Sequence, residues 1–169
     1  DYIKQIAQLI YDERKDSLKN STDLSLFKKA GENYNFKMIR STLNKLGIHH
    51  DIFSNESQLY TDGKIDKTIN EFIARGLAYE KDGALWLKMD EKAGFDKDKV
   101  IRKSTGEPTY RLPDMAYHIE KLNRGYDLII DIFGSDHGDT YKEVLYGVQS
   151  LGYDTSKIKV IIHQMVTLK

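Results

Sequence analysis

The 169-residue sequence predicts an α/β protein. A parallel-sheet βαβ unit forms its C-terminal part, and a mainly helical region with one small β-hairpin precedes it. Three observations carry this reading. First, two runs rich in Ile and Val, "YDLIIDIF" and "KIKVIIHQMVTL", flank the helical pattern "TYKEVLYGVQSLG", and strand–helix–strand order of this kind builds a parallel sheet. Second, apolar residues recur at helical spacing through residue 76 or so. Third, "LAYEKDGALWLK" sets Asp82-Gly83 between two short apolar runs, a hairpin signal.

Each element has its own signal. Ile3, Ile6, Ala7 and Ile10 make one apolar helical stripe. Phe36, Ile39, Leu43 and Leu46 make a second, with Gly47 as its stop. Ile65, Ile69, Phe72 and Ile73 make a third, closed by Gly76. After the hairpin, "MDEKAGFDKDK" reads as a polar loop. "KVIRKSTGEPTY" reads as a short strand, a turn at Ser104-Thr105-Gly106 and an extended exit. Pro113 suits the first turn of a helix, where its missing N–H costs nothing. That helix is expected to run to about Asn123, with Gly125 as its stop. The βαβ unit then fills the rest, and its crossover is expected to be right-handed.

Composition excludes several classes of function. The formal net charge is +0, so the chain as a whole does not advertise nucleic-acid binding, although a local basic patch could still meet a polyanion. There is no cysteine, which removes disulfide and thiolate chemistry and fits a reducing compartment. No apolar run approaches the ~20 residues of a membrane span. The chain opens without Met and ends in a strand-like apolar run, so it reads as a fragment of a longer protein.

In a parallel sheet, ligands bind beyond the carboxyl ends of the strands. That rule points to "GSDHGD", where Gly134 and Gly138 bracket Asp136 and His137, with Asp139 following. Glycines there allow close backbone approach. A carboxylate can accept ribose hydroxyls, while the next helix's amides favour phosphate. The plain alternative is a polar loop with an aspartate cap. No companion Cys or His cluster accompanies it, so no structural metal is expected.

"GEPTYRLPDMAYH" holds the only two prolines of the chain, Pro108 and Pro113. Tyr110 and Asp114 lie four apart around the helix start and could converge on one pocket. A buried carboxylate there is costly unless it meets a cation, and a guanidinium fork suits it best. An aspartate that merely favours the helix dipole is the ordinary alternative. Tyr117 and His118, one turn on, read as packing or rim residues. His163, in the last strand, reads either as a core histidine or as one lining the ligand side of the sheet.

"GEPTYRLPDMAYHIEKLNRGYDLIIDIFGSDH", then "LGY", then "HQMVTL", in this order and spacing, resembles arginyl-tRNA synthetase, a class I aminoacyl-tRNA synthetase. "LGIHHDIFSNES" and "GLAYEKDGALWLK" resemble the same family's insertion. The resemblance runs from about Tyr34 to Leu168. It implies that residues 1–97 are a mainly helical insertion and residues 98–169 the second half of a Rossmann-type catalytic domain.

It also implies a ligase that activates L-arginine with ATP, accompanied by Mg2+, to arginyl-adenylate and then charges tRNA(Arg). A cytoplasmic monomer is implied, with no membrane partner. Tyr110 and Asp114 fall on the family's Tyr-x-x-x-Asp arginine-binding positions, with His137 at the edge of that pocket. Gly134, Asp136 and His137 match the segment that holds the ATP ribose. Met165 and Val166 match the strand whose backbone meets adenine. Two family motifs, His-x-Gly-His and Lys-Met-Ser-Lys, do not occur in the 169 residues. "GIHH" has similar letters in the wrong order and follows a helix. The chain by itself is therefore expected to be inactive, with no catalytic residue assigned within it. The alternative reading is a non-catalytic nucleotide- or RNA-binding module of the same fold.

Overall fold

In a computed structural model, residues 1–138 and 140–167 are described. They form two compact units, residues 1–53 and 54–169. The first unit holds α1 (Tyr2–Arg14) and α2 (Ser25–Lys45). Asp1 caps α1 by accepting the Ile3 amide at 3.0 Å. The Tyr34 hydroxyl of α2 donates to Gln5 of α1. Gly47, at φ 70°, supplies the left-handed stop the sequence predicts for α2. The apolar stripes form as expected but leave no residue of either helix fully buried. At the end of this unit the Arg40 guanidinium lies over the Phe53 ring, 4.7 Å from its centroid.

The second unit carries the core. It contains α3 (Glu56–Thr61), α4 (Lys64–Ala74), β1 (Ala78–Lys81), β2 (Ala84–Leu87), β3 (Lys99–Arg102), α5 (Arg111–Asn123), β4 (Ile129–Gly134), α6 (Thr140–Ser150) and β5 (Ile158–His163). The helix α3 has too few periodic positions to be read from sequence. Asn55 starts it by accepting the Ser57 amide at 3.0 Å.

The predicted hairpin is present, with φ 53° at Asp82 and 74° at Gly83. Two positive φ values make the tight turn whose twist matches the strands. The strands β1, β2 and β3 form one antiparallel sheet in that order. Alternation sets its faces: Leu85 and Leu87 are fully buried, while Trp86 between them turns outward and donates its indole N–H to the Lys81 carbonyl at 3.2 Å.

Against this sheet pack α4, α5 and α6. Phe72, Leu85, Leu87, Ile101, Leu112, Met115 and Val148 are its fully buried large side chains. Burial of each contributes about 1.5–3 kcal/mol. The helix α6 comes close because Gly147 has no side chain. A Cβ built there would lie 2.7 Å from Met115 Cε and 3.2 Å from Leu87 Cδ2.

The predicted βαβ unit is present as well. The strands β4 and β5 pair in parallel, in register from Ile129↔Ile158 to Gly134↔His163. Their carboxyl ends therefore coincide. One face carries Ile129 and Asp131 inward, whereas Ile130, Ile132 and Ile161 on the other face are exposed. The last strand ends at His163, so Met165 and Val166 follow the strand instead of lying in it. His163 itself is exposed at the strand's end.

Gly147→Val should test the α5–α6 approach. Valine is a better helix former than glycine, yet overpacking against Met115 and Leu87 should destabilise the unit by about 1–3 kcal/mol. A lowered midpoint of urea unfolding is the expected result.

Candidate functional site

The stretch with the two prolines is built as a clamp between β3 and α5. Gly106, at φ 89°, closes a turn in which its amide bonds the Lys103 carbonyl at 2.9 Å. Lys103 N–H donates to the Glu107 carbonyl at 2.8 Å, and Pro108 sits opposite Arg102 in an antiparallel bridge. Proline can occupy that edge because no N–H is required of it. Thr109 then locks the exit. Its amide donates to the Ile101 carbonyl and its hydroxyl to the Val100 carbonyl, both at 2.9 Å.

The helix begins two residues before Pro113, at Arg111, with Tyr110 in the cap position. Tyr110 makes no side-chain cap bond. Pro113 thus falls third in the helix, still within the turn whose amides have no intrahelical partner. Asp114 comes fourth and does not cap the helix. It remains the acidic residue of the helix's first turn, where it also favours the dipole, as the ordinary reading has it.

Two ion-pair clusters tie α5 to its neighbours. Glu143 of α6 accepts from Arg111 Nε at 2.5 Å and pairs with Lys99 at 2.9 Å. Burial pushes the Glu143 carboxyl up, but the Arg111 and Lys99 bonds outweigh it, and it lies below the usual range. The Arg111 guanidinium also covers the Tyr110 ring at 4.7 Å.

On the other side, buried Asp131 of β4 meets His118 at 2.9 Å and also Lys121 of α5. Burial again pushes its carboxyl up, and the His118 and Lys121 bonds bring it below the usual value. His118, read from sequence as a packing or rim residue, is instead a buried link between helix and strand. No apolar period marks that role.

Asp114 lines a cavity of about 160 Å³ together with Asn55, Glu56, Pro113, Tyr117 and Glu120. Its environment differs from that of Asp131. Desolvation raises the Asp114 carboxyl above the ordinary value, and Glu56 raises it further, while His118, His137 and Lys121 pull the other way. Asp114 as a residue is nonetheless exposed, so its desolvation is partial. Glu120 is already neutralised by Lys64 at 2.7 Å and Arg124 at 2.9 Å. Among the described residues, no ion pair is formed by Asp114 or Glu56. Two carboxylates therefore face one hollow without a cation. Glu56 was not singled out from sequence: a lone glutamate in a polar loop has no signal until α3 brings it to α5.

The strand-end loop lies at the carboxyl edge shared by β4 and β5. A Cβ at Gly134 would stand 2.6 Å from Asp136 Oδ1, so glycine leaves room for that carboxylate to fold back. The His137 ring stacks on Phe133 with centroids 5.4 Å apart, and its Nε2 is 3.7 Å from Asp136 Oδ2. His137 is near enough to act on the Asp114 charge. The fold thus brings Asp114 and His137 into one electrostatic neighbourhood. Tyr110, in the cap position of α5, is half exposed and does not line the Asp114 cavity, so the two side chains are not brought together as the sequence suggests. Met165 and Val166 are exposed beyond the end of β5, on the same edge as Gly134. Asp139 lies outside the described residues.

A parallel strand pair with its loops gathered at one edge defines the class as an α/β domain of the nucleotide-fold type. Residues 15–168 match the family model for tRNA synthetases class I (R), catalytic domain. The chain belongs to this family.

An arginine–tRNA ligase of Desulfotalea psychrophila is 52% identical over 168 residues, which are 99% of this chain and 30% of that protein. One from Salinibacter ruber is 46% identical over 167 residues, again 99% of this chain and 30% of that protein. The chain thus spans about a third of the length of the curated relatives it matches. Among solved structures, an arginyl-tRNA synthetase from Campylobacter jejuni aligns with a TM-score of 0.85 at 27% identity, covering 98% of this chain and 36% of that one. Arginyl-tRNA synthetase from Plasmodium falciparum, at 17% identity and a TM-score of 0.71 over 98% of this chain and 29% of that one, shares the fold.

The opposite shifts of Asp114 and Asp131 predict opposite pH effects. A raised carboxyl disfavours the folded state above its folded value, and that penalty fades as pH falls toward about 4. Asp114→Asn should therefore stabilise the protein near neutral pH, with a gain that shrinks on acidification. A depressed carboxyl stabilises above about pH 4 and loses that contribution as pH falls below it. Asp131→Asn should therefore destabilise at neutral pH, and the difference from the unsubstituted protein should narrow in acid. Thermal unfolding from pH 7 to pH 3 reads both signs.

Proposed function

We propose that this chain is the part of an arginine–tRNA ligase that recognises the amino acid and borders the ATP site. The observation that carries the reading is the hollow where Asp114, raised by burial and by Glu56, lacks a cationic partner. A guanidinium fits that need in charge and shape. Its planar fork can donate to carboxylate oxygens in pairs, and it stays charged at any working pH. A lysine ammonium is a point charge and cannot fill the same set of bonds, so lysine is rejected by the bonds it leaves unmade. Tyr110 adds an aromatic wall beside the entrance. Glu56 is added as a second carboxylate for the same cation.

Recognition serves two successive reactions. The arginine carboxylate attacks the α-phosphate of ATP, forming arginyl-adenylate and releasing pyrophosphate. The arginyl group then passes to the terminal adenosine of tRNA(Arg). Asp136 accepts ribose hydroxyls, Gly134 allows the nucleotide close to the strand end, and His137 borders both ligands. Backbone groups at Met165 and Val166 face the adenine. This assignment is supported by the common edge of β4 and β5.

No metal cage of three or more His, Cys, Asp or Glu occurs among the described residues. Mg2+ fits here as an ion carried by the triphosphate, with phosphate and water oxygens as ligands. Residues 1–97 serve as the insertion and residues 98–169 as the second half of the nucleotide fold. No described helix is long and apolar enough to cross a membrane, and the reading extends to a monomer working in the cytoplasm.

Asp114→Ala in the full-length protein should raise the arginine KM at least about 100-fold or abolish activation, since a charged hydrogen-bonding partner is lost. Arginine-dependent ATP–pyrophosphate exchange, with tRNA(Arg) present, measures it, and an unchanged arginine KM would remove Asp114 from the site. The 169-residue chain alone should give no exchange, because His-x-Gly-His and Lys-Met-Ser-Lys are not within it.

A further inference from the structure

We propose that His118 is a positioning residue for the arginine site, tying the Asp114 turn of α5 to strand β4. The proposal rests on the reading of Asp114 as the guanidinium's partner.

His118 is 5% exposed, and both ring nitrogens are engaged. Nδ1 stands 2.7 Å from the carbonyl oxygen of Asp114, and Nε2 stands 2.9 Å from Asp131 Oδ2. A carbonyl oxygen can only accept. The Asp131 carboxylate, with Lys121 on its other oxygen, is held ionised and can only accept as well. The ring thus bridges helix and strand through both of its nitrogens.

The direction of the link matters. In a helix, a side chain at i+4 lies back over the turn that holds residue i. His118 thus reaches the backbone of Asp114 and no other group of the arginine hollow. The strand end of Asp131 is fixed by the register of β4 with β5. Asp114 is in this way referenced to the strand whose terminal loop carries Asp136 and His137.

An apolar pair at 118 and 131 would hold α5 on β4 at least as well, because a buried ionic cluster is a weak source of stability. What it would not supply is a polar link from strand β4 to the Asp114 carbonyl. His118 is the largest influence favouring the ionised form of Asp114 against burial. Its position therefore suits an affinity for arginine better than a contribution to packing.

The test is ATP–pyrophosphate exchange by the full-length protein with tRNA(Arg) present, comparing KM for arginine with KM for ATP. His118→Leu should raise the arginine KM about tenfold, the loss of one charged hydrogen bond, and leave the ATP KM within about twofold. In an Asp114→Asn background the same substitution should change the arginine KM less than about twofold, because the effect acts through Asp114. Should His118→Leu fail to fold, Asp131→Val reads the same link from its other end. Asp131→Asn, which keeps an oxygen acceptor for Nε2, should recover most of the arginine affinity.

Equal shifts in both KM values overturn the proposal, as does a full arginine effect that persists without Asp114. A strong Asp114→Asn defect beside silent His118→Leu and Asp131→Val overturns the positioning role alone. An unchanged arginine KM in Asp114→Asn overturns the arginine site and this proposal with it.

Discussion

The helix α5 is held by charged pairs from two directions, and the candidate site at its first turn depends on it. Arg111 is fixed by Glu143 of α6, and His118 and Lys121 by Asp131 of β4. Between these links, Leu112, Met115 and Ala116 sink into the core. Apolar burial supplies the adhesion but little sense of rotation, since a helix can turn and repack at modest cost. The charged pairs are directional. Together they set which residues of the turn face the hollow, and those are Pro113 and Asp114.

That arrangement leaves a deliberate imbalance. Most carboxylates around α5 have cations: Glu120 meets Lys64 and Arg124, Glu143 meets Arg111 and Lys99, Asp131 meets His118 and Lys121. Asp114 and Glu56 face the cavity without one. Burial and Glu56 raise the Asp114 carboxyl, and the pull of His118, His137 and Lys121 offsets this only in part. A cationic ligand would relieve both at once.

Much of this was legible in the sequence because it is periodic or local. The hairpin at Asp82-Gly83, the stops at Gly47, Gly76 and Gly125, and the parallel pair of Ile-rich strands depend on spacing or on single turn residues. The meaning of Tyr110 and Asp114 came partly from stiffness at Pro108 and Pro113 and mainly from family resemblance. Pro113 lies in the first turn of α5 as its missing N–H suggests, with the helix starting two residues earlier at Arg111. The end of β5 at His163 was missed because "QMVTL" keeps strand-like composition after the pairing with β4 has stopped. Glu56 and His118 were not legible as site residues. Each acquires its role from a neighbour distant in sequence, and one sequence carries no record of such neighbours.

The account turns on where an arginine side chain goes. A crystal structure of the full-length protein with L-arginine bound tests this directly. The account predicts the guanidinium in the hollow between α3 and α5, in paired hydrogen bonds with the Asp114 carboxylate, with the His118 to Asp114 carbonyl bond intact beneath it. A guanidinium bound elsewhere, or an Asp114 carboxylate pointing away from it, would contradict the account.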